Sequence, residues 1–530
     1  MKSQLSASIA LFAFVLALVA SAGAVQAAGD LPPGVRTIVH KPRYAHASWY
    51  MLVTDLATGR IVYQMTPDRL AFTGSVRKLF SVGLAMNALG SSHRIVTPVY
   101  RQGRVDARGV LRGNLILVAA GDLTFGGRLL PDGSVAFTDF DHNDANNLGT
   151  AILTPQDPLH GLDNLARQVR ASGIRSVSGD VVVDDRLFDS YRVPNGNLLI
   201  APIMVNENMV DVWVTPAHAG EAAHVDWRPK TAAFSVRANV KTVAGGAQAG
   251  IELSDNGRVH CNWPQPCTGT VSGTIPAGYK APLSGSPTFV GTFRIEQPAS
   301  FARIAFVQAL ERAGVHVSAP VVAPNAPGSL GPRGTYAASD RVAQFVSPPF
   351  SDFAKLILKV SLNLGANLSL SLFGLTQGER TLHGSLAAER RALIAHGVRP
   401  GDFDFPTNGS GSPDSRAAAR ATVRWLTVMS QGANAKAFHD ALPILGVDGS
   451  LAGTGRQFPA RGHVFAKTGT TVEGSALKAQ VLAGYIDTKS GKHFAFAVYV
   501  NNAGPLKSIE DVGGVFQDEA AITNAIYENN

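Results

Sequence analysis

Cysteine is almost absent from this chain: there are two in 530 residues, Cys261 and Cys267. Such scarcity excludes a disulfide-dense scaffold and, with no paired histidines, a zinc site. Charge is also sparse, at 16% against about 25% in an average soluble protein. Lys and Arg (47) outnumber Asp and Glu (39), a thin net charge of +8 for this length. No Lys/Arg run is interleaved with aromatics, so no nucleic-acid partner is expected, although the excess suits a polyanionic one. The fourteen histidines include no His-Glu-x-x-His. Asp139 to Asp144 begins like a calcium loop but has Asp144 where glycine is needed and Thr150 where glutamate is needed, so it reads as a solvated acidic loop.

What is present is 45% apolar residue content, enough to bury a large core. The first residues form an address. Lys2 is followed by a twelve-residue apolar run, Ile9 to Ala20, and by small residues around Val25-Gln26-Ala27. That run is short of the ~20 residues that span a bilayer, which predicts a signal peptide over 1–27, cleaved near Ala27, rather than an uncleaved anchor. No cysteine lies near the cut, which excludes a lipoprotein. Export favours a disulfide between Cys261 and Cys267 closing a short Pro-rich loop, the alternative being two free thiols. The last helix is acidic and makes a poor membrane attachment, so no stable membrane anchor is expected.

Strand patterns cover Trp49 to Asp55, Ile61 to Gln64, Val464 to Thr468, Gln480 to Asp487 and Phe494 to Asn501. Helical spacing marks a helix after Ser75, with Leu79, Val82, Met86 and Leu89 on one face and Gly90 as a cap. Further helices are expected over Asp352 to Phe373, Leu382 to His396, Arg416 to Met429 and Phe516 to Tyr527. Between about 96 and 334 the texture is short β-like runs between turns, with helices only near Leu162 to Ala171 and Phe301 to Ala313. Arg128 to His160 lacks regular pattern and reads as a long surface loop. The outer pieces, 28–95 and 335–530, form one α/β domain interrupted by a β-rich insertion of one or two subdomains over 96–334.

Three short motifs carry chemistry. Ser75-Val76-Arg77-Lys78 places a serine at a helix N-terminus and a lysine one turn on, within reach of its hydroxyl. Such a lysine acts as a base only when burial and a neighbouring cation lower its pKa. Ser361-Leu362-Asn363 puts polar groups in an apolar helical stretch, where they need partners. Lys467-Thr468-Gly469-Thr470 ends a strand, where the glycine lets a substrate backbone approach. A second Ser-x-x-Lys, Ser475 to Lys478, sits in a connection with no helix to align it. The segment Thr471 to Gln480 reads as a long connection.

Ser-x-x-Lys, Ser-x-Asn and Lys-Thr-Gly in this order resemble the signature of penicillin-binding proteins and serine β-lactamases. Ser361 follows Ser75 by 286 positions. Gly113 to Val118, Gly121 to Thr124, Gly179 to Asp184, Asn408 to Gly411 and Leu445 to Leu451 are similar to one subgroup. That subgroup is the low-molecular-mass class C penicillin-binding proteins, the D-alanyl-D-alanine carboxypeptidase/endopeptidase family. The resemblance implies a five-stranded antiparallel sheet between helices plus a helical lobe. It implies Ser75 as acylated nucleophile, Lys78 as base, Ser361 as proton relay and Asn363 as the group orienting Lys78 and substrate. Lys467, helped by Thr468, Gly469 and Thr470, would bind the substrate carboxylate, with an oxyanion hole from the Ser75 and Thr470 amides. Peptidoglycan stem peptides are then the substrates, β-lactams the inhibitors and the periplasm the location, and the resemblance implies no metal or organic cofactor. A β-lactamase or esterase of the same fold and a non-catalytic wall-binding protein are the alternatives. Leu362 and Asn408 depart from the pattern, each standing where aspartate is usual.

Overall fold

The computed structural model describes residues 30–530 other than 142–148, 247 and 260. The expected signal peptide and part of the Asp139 to Asp144 loop lie outside the described residues.

A five-stranded antiparallel sheet organises the two outer portions of the chain. Its strands are β1 (Ser48–Asp55), β2 (Ile61–Met65), β3 (Val464–Glu473), β4 (Ala476–Asp487) and β5 (His493–Ala503), in spatial order β2-β1-β5-β4-β3. Both faces are buried, so the strands read as nearly continuous apolar runs. Leu52, Val481, Ala497 and Tyr499 face one core, while Val53, Leu482, Phe496 and Val498 face another. The first face is covered by α1 (Lys78–Leu89), α2 (Phe350–Val360), α3 (Asn363–Thr376) and α4 (Ala419–Gln431), with the Trp425 indole donating to the Leu79 carbonyl at 2.8 Å. The second face is covered by α5 (Ile509–Glu528) through Val515, Ile522 and Ile526. α5 starts seven residues earlier than the sequence pattern suggested, because Ser508 and Asp511 form a reciprocal capping box at its start.

Two expected elements take a different form. The single apolar helix anticipated from Asp352 to Phe373 is two helices, broken where Ser361 adopts a left-handed backbone at φ +62°. The supposed connection from Thr471 to Gln480 is a hairpin, with β3 running to Glu473 and β4 starting at Ala476.

A third core is built from residues between Val99 and Phe345. It lies among a mixed sheet containing Arg94–Val105, Val110–Val118 and Arg341–Pro349, a four-stranded sheet centred on Met209–Thr215 and Phe289–Ile295, and a three-stranded sheet containing Phe234–Val243 and Cys267–Pro276. Arg94–Val105 and Arg341–Pro349 pair antiparallel, so the chain enters and leaves this region side by side. Cys261 and Cys267 form a disulfide at the start of its strand Cys267–Pro276.

The stretch from Arg128 is not a surface loop at its near end. The Arg128 guanidinium is buried between the carboxylates of Asp141, at 2.7 and 2.8 Å, and Glu207. Fully paired charges tolerate this burial, whereas one alone would not. Asp139 is exposed and accepts from the Gly449 amide at 2.8 Å.

Candidate active site

Ser75 lies in a single 3-10 turn, Gly74–Arg77, that runs straight into α1, so Lys78 begins the helix one turn after it. This turn sits against β3 with no room for side chains. A Cβ on Gly469 would lie 2.4 Å from the Thr73 carbonyl oxygen, and one on Gly74 only 2.8 Å from the Thr470 nitrogen. Gly469 therefore admits the chain's own nucleophile turn, not only a substrate backbone.

The break between α2 and α3 places Ser361 and Asn363 opposite that turn. Lys78 Nζ donates to Ser75 Oγ at 2.6 Å, to Asn363 Oδ1 at 2.6 Å and to Ser361 Oγ at 3.2 Å. Lys467 Nζ reaches the same Ser361 Oγ at 2.9 Å and the Thr468 carbonyl at 2.7 Å. The five residues expected to carry the chemistry are thus one contiguous cluster. Both lysines are fully buried, while Ser75 is half-buried. Burial, and then the Lys78 ammonium, hold the Lys467 ammonium well below the usual lysine range.

A wider shell braces this cluster. Ser450 and Thr468 share a hydroxyl–hydroxyl bond of 2.8 Å, and Asp448 in the same loop takes both oxygens to Lys359 Nζ at 2.6 Å. Asn408 Oδ1 accepts from the Ser410 and Gly411 amides at 2.9 and 2.7 Å. Its Nδ2 donates to the Ser412 carbonyl at 3.1 Å, which an aspartate could not do. The Gly409 peptide is strapped between helices, its N–H donating to Asn367 on α3 and its carbonyl accepting from Ser81 on α1. Leu362 is fully buried in the apolar core beside the site, which accounts for its lacking a polar side chain.

Lys478 of the second Ser-x-x-Lys is occupied elsewhere, 2.8 Å from Glu473 and 4.3 Å above the Phe72 ring. Sequence reasoning missed Ser81, Gln480 and Glu519, whereas Asn367 and Ser450 lie in stretches it had singled out. For Gln480 a signal existed: it is a polar residue at a core-facing position of an apolar strand. Among the described residues no three His, Cys, Asp or Glu side chains are arranged to hold a metal, and no helix is long and apolar enough to cross a membrane.

Residues 33–518 match the model of the D-Ala-D-Ala carboxypeptidase 3 (S13) family. The chain is 28% identical over 501 residues to the D-alanyl-D-alanine carboxypeptidase of Actinomadura sp. (strain R39), covering 90% of this chain and 82% of that one. It is 22% identical to the D-alanyl-D-alanine carboxypeptidase DacB of Haemophilus influenzae, covering 90% of each. The crystal structure of penicillin binding protein 4 from Haemophilus influenzae superposes with a TM-score of 0.67 at 20% identity, covering 93% of this chain and 99% of that one. A complex of that protein with a β-lactam superposes at 0.63. The fold is therefore shared. Matched across nearly all of its described length, the chain belongs to the D-Ala-D-Ala carboxypeptidase 3 (S13) family, the low-molecular-mass class C penicillin-binding proteins.

Proposed function

We propose that the protein is a serine DD-peptidase that acts on peptidoglycan stem peptides through an acyl-enzyme on Ser75, and that β-lactams acylate the same hydroxyl. The observation that carries this reading is the 2.6 Å contact between Ser75 Oγ and Lys78 Nζ in a buried cluster that holds a second lysine. Lys78 and Lys467 face one hydroxyl, Ser361, and the Lys78 charge adds to the burial that disfavours the Lys467 ammonium; a lysine base needs such burial beside a second cation.

In this mechanism Lys78 takes the Ser75 proton as Oγ attacks the penultimate D-Ala carbonyl. The Ser75 and Thr470 amides receive the oxyanion. Ser361, bonded to both lysines, hands the proton to the departing amine, so terminal D-Ala leaves neutral at nitrogen and the acyl-enzyme forms. Water, deprotonated by the same base, then releases the shortened peptide and returns the proton to Ser75. In an endopeptidase the leaving group is instead a cross-linked neighbouring stem. A substrate carboxylate docking at Lys467, Thr468 and Thr470 would stabilise the Lys467 ammonium that burial disfavours. Binding and protonation are then coupled.

The catalytic unit in this reading is 28–95 with 335–530, the 96–334 insertion is carried on it, and the mature protein is periplasmic. The relatives' names, D-alanyl-D-alanine carboxypeptidase and penicillin binding protein, support the same reading. The test is incubation of the mature protein with a fluorescent penicillin beside a Ser75→Ala control, read by gel and intact mass. A covalent adduct lost only in the variant is expected. A folded wild-type protein that forms no adduct would overturn the assignment.

A further inference from the structure

Lys359, in the last turn of α2, is a buried cation that the mechanism does not use. Its side chain is 1% exposed, and its Nζ donates to both oxygens of Asp448 at 2.6 Å. Asp448 is fixed on its own loop, its Oδ1 accepting from the Ile444 amide at 2.9 Å. That loop is bonded to β3, the Leu445 amide donating to the Val464 carbonyl and the Ala466 amide to the Pro443 carbonyl, both at 2.9 Å. Gly449 lies flush on the end of α2. Its φ is +61°, and a Cβ there would be 2.8 Å from the Lys359 carbonyl oxygen. An ion pair and a backbone contact thus join α2 to the loop carried by β3. A buried ammonium needs such a partner, yet an apolar pair of similar size would pack as stably, so stability alone does not account for the charges.

Each partner precedes a residue of the active site or its bracing shell by two positions: Lys359 precedes Ser361, and Asp448 precedes Ser450. Ser450 and Thr468 share a hydroxyl–hydroxyl bond of 2.8 Å. Lys467 Nζ donates to the Thr468 carbonyl at 2.7 Å and to Ser361 Oγ at 2.9 Å. A closed circuit of contacts therefore leaves Ser361 through Lys359 and Asp448 and returns to it through Ser450, Thr468 and Lys467. Ser361 is the strained member, left-handed at φ +62°. A residue with a side chain keeps that conformation only where its surroundings hold it. The ion pair ties the turn just before Ser361 to the strand that carries Lys467.

We propose that Lys359 and Asp448 are positioning residues that hold Ser361 between Lys78 and Lys467 for proton transfer to the leaving amine. The proposal rests on the DD-peptidase reading, which gives Ser361 that role.

The experiment compares kcat/KM, which reports acylation, for an acyl-D-alanyl-D-alanine peptide and for the matching thioester. The departing amine must gain a proton as its C–N bond breaks, whereas a thiolate leaves without one. Both substrates carry the terminal carboxylate, so their ratio isolates the proton transfer and does not depend on the fraction of protein folded. Wild type is set beside Ser361→Ala, as the reference for a lost relay, and the double variant Lys359→Met/Asp448→Ala, which strands no charge. The double variant is expected to lose about tenfold or more with the peptide and less than about threefold with the thioester, in the direction of Ser361→Ala. A wild-type ratio in the double variant would mean that the pair only satisfies buried charge, and would overturn the proposal. Equal losses with the two substrates would overturn it as well. Equal losses in Ser361→Ala would instead remove Ser361 from the relay. A wild type that turns over neither substrate would overturn the DD-peptidase reading and the proposal with it.

Discussion

Replacing Asp122 with asparagine should stabilise the protein progressively as pH rises. The Asp122 carboxyl is fully buried, and burial pushes it up to about 6 from the ordinary 3.8, against the lowering effect of the Phe125 and Thr124 amides. Its Oδ1 accepts from those two amides at 2.9 and 3.2 Å, while Oδ2 has no partner among the described residues. A carboxyl whose folded value lies above its unfolded value keeps a proton on folding. Its contribution to stability is therefore fullest below about pH 4 and declines as pH rises towards about 6. The full loss is about 3 kcal/mol at pH 7 and only about 0.5 kcal/mol at pH 4. Asparagine retains the Oδ1 acceptor, and its NH2 adds a cost of about 1–3 kcal/mol that does not vary with pH. The difference between variant and wild type should thus move in the variant's favour by roughly 2 kcal/mol between pH 4 and pH 7. Urea unfolding followed by tryptophan fluorescence at each pH unit measures it. A difference that stays flat across that range would refute the reasoning.

Gly469→Ala would place a Cβ 2.4 Å from the Thr73 carbonyl oxygen and 3.0 Å from the Ser75 nitrogen. Acylation by a fluorescent penicillin should fall at least about tenfold while the fold persists, since a displacement near 1 Å can cost about 100-fold; a wild-type rate would show that the turn and β3 are not held together as described. Arg77, beside the nucleophile, is buried against Glu389 with an Arg77 Nη1–Glu389 Oε1 bond of 2.8 Å, and its guanidinium lies 4.0 Å over the Phe405 ring. Arg77→Ala should cost about 3–5 kcal/mol by stranding the carboxylate, and adding Glu389→Leu should recover a large part of it. Additive losses in thermal or urea unfolding would contradict that coupling.

Several features were legible in the sequence because they depend on local pattern. The five strands alternate or run apolar within their own segments, and Leu79, Val82 and Met86 mark α1 by spacing alone. Ser75 and Lys78 are neighbours by helix geometry, so their contact needed no long-range information. The start of α5 was missed although Ser508 and Asp511 signal it, because the capping box lies outside the apolar repeat. The Arg128 stretch was misread because a buried ion triad looks, residue by residue, like a polar loop.

By itself, then, the amino-acid order determined the periodic elements, the short-range Ser75–Lys78 pairing and the three motifs that carry the family likeness. Only the tertiary structure decided that a left-handed Ser361 would split an apolar helix. Only it brought Ser361 and Lys467 to one hydroxyl–ammonium contact of 2.9 Å with Lys78 beside them, and placed Glu519 behind Gln480. The physical reason is range. Periodicity and capping are written within a few turns of chain, whereas distances between residues hundreds of positions apart are set by how the cores pack. So too are the proton affinities of Lys467 and Glu519, because burial is a property of the assembled molecule.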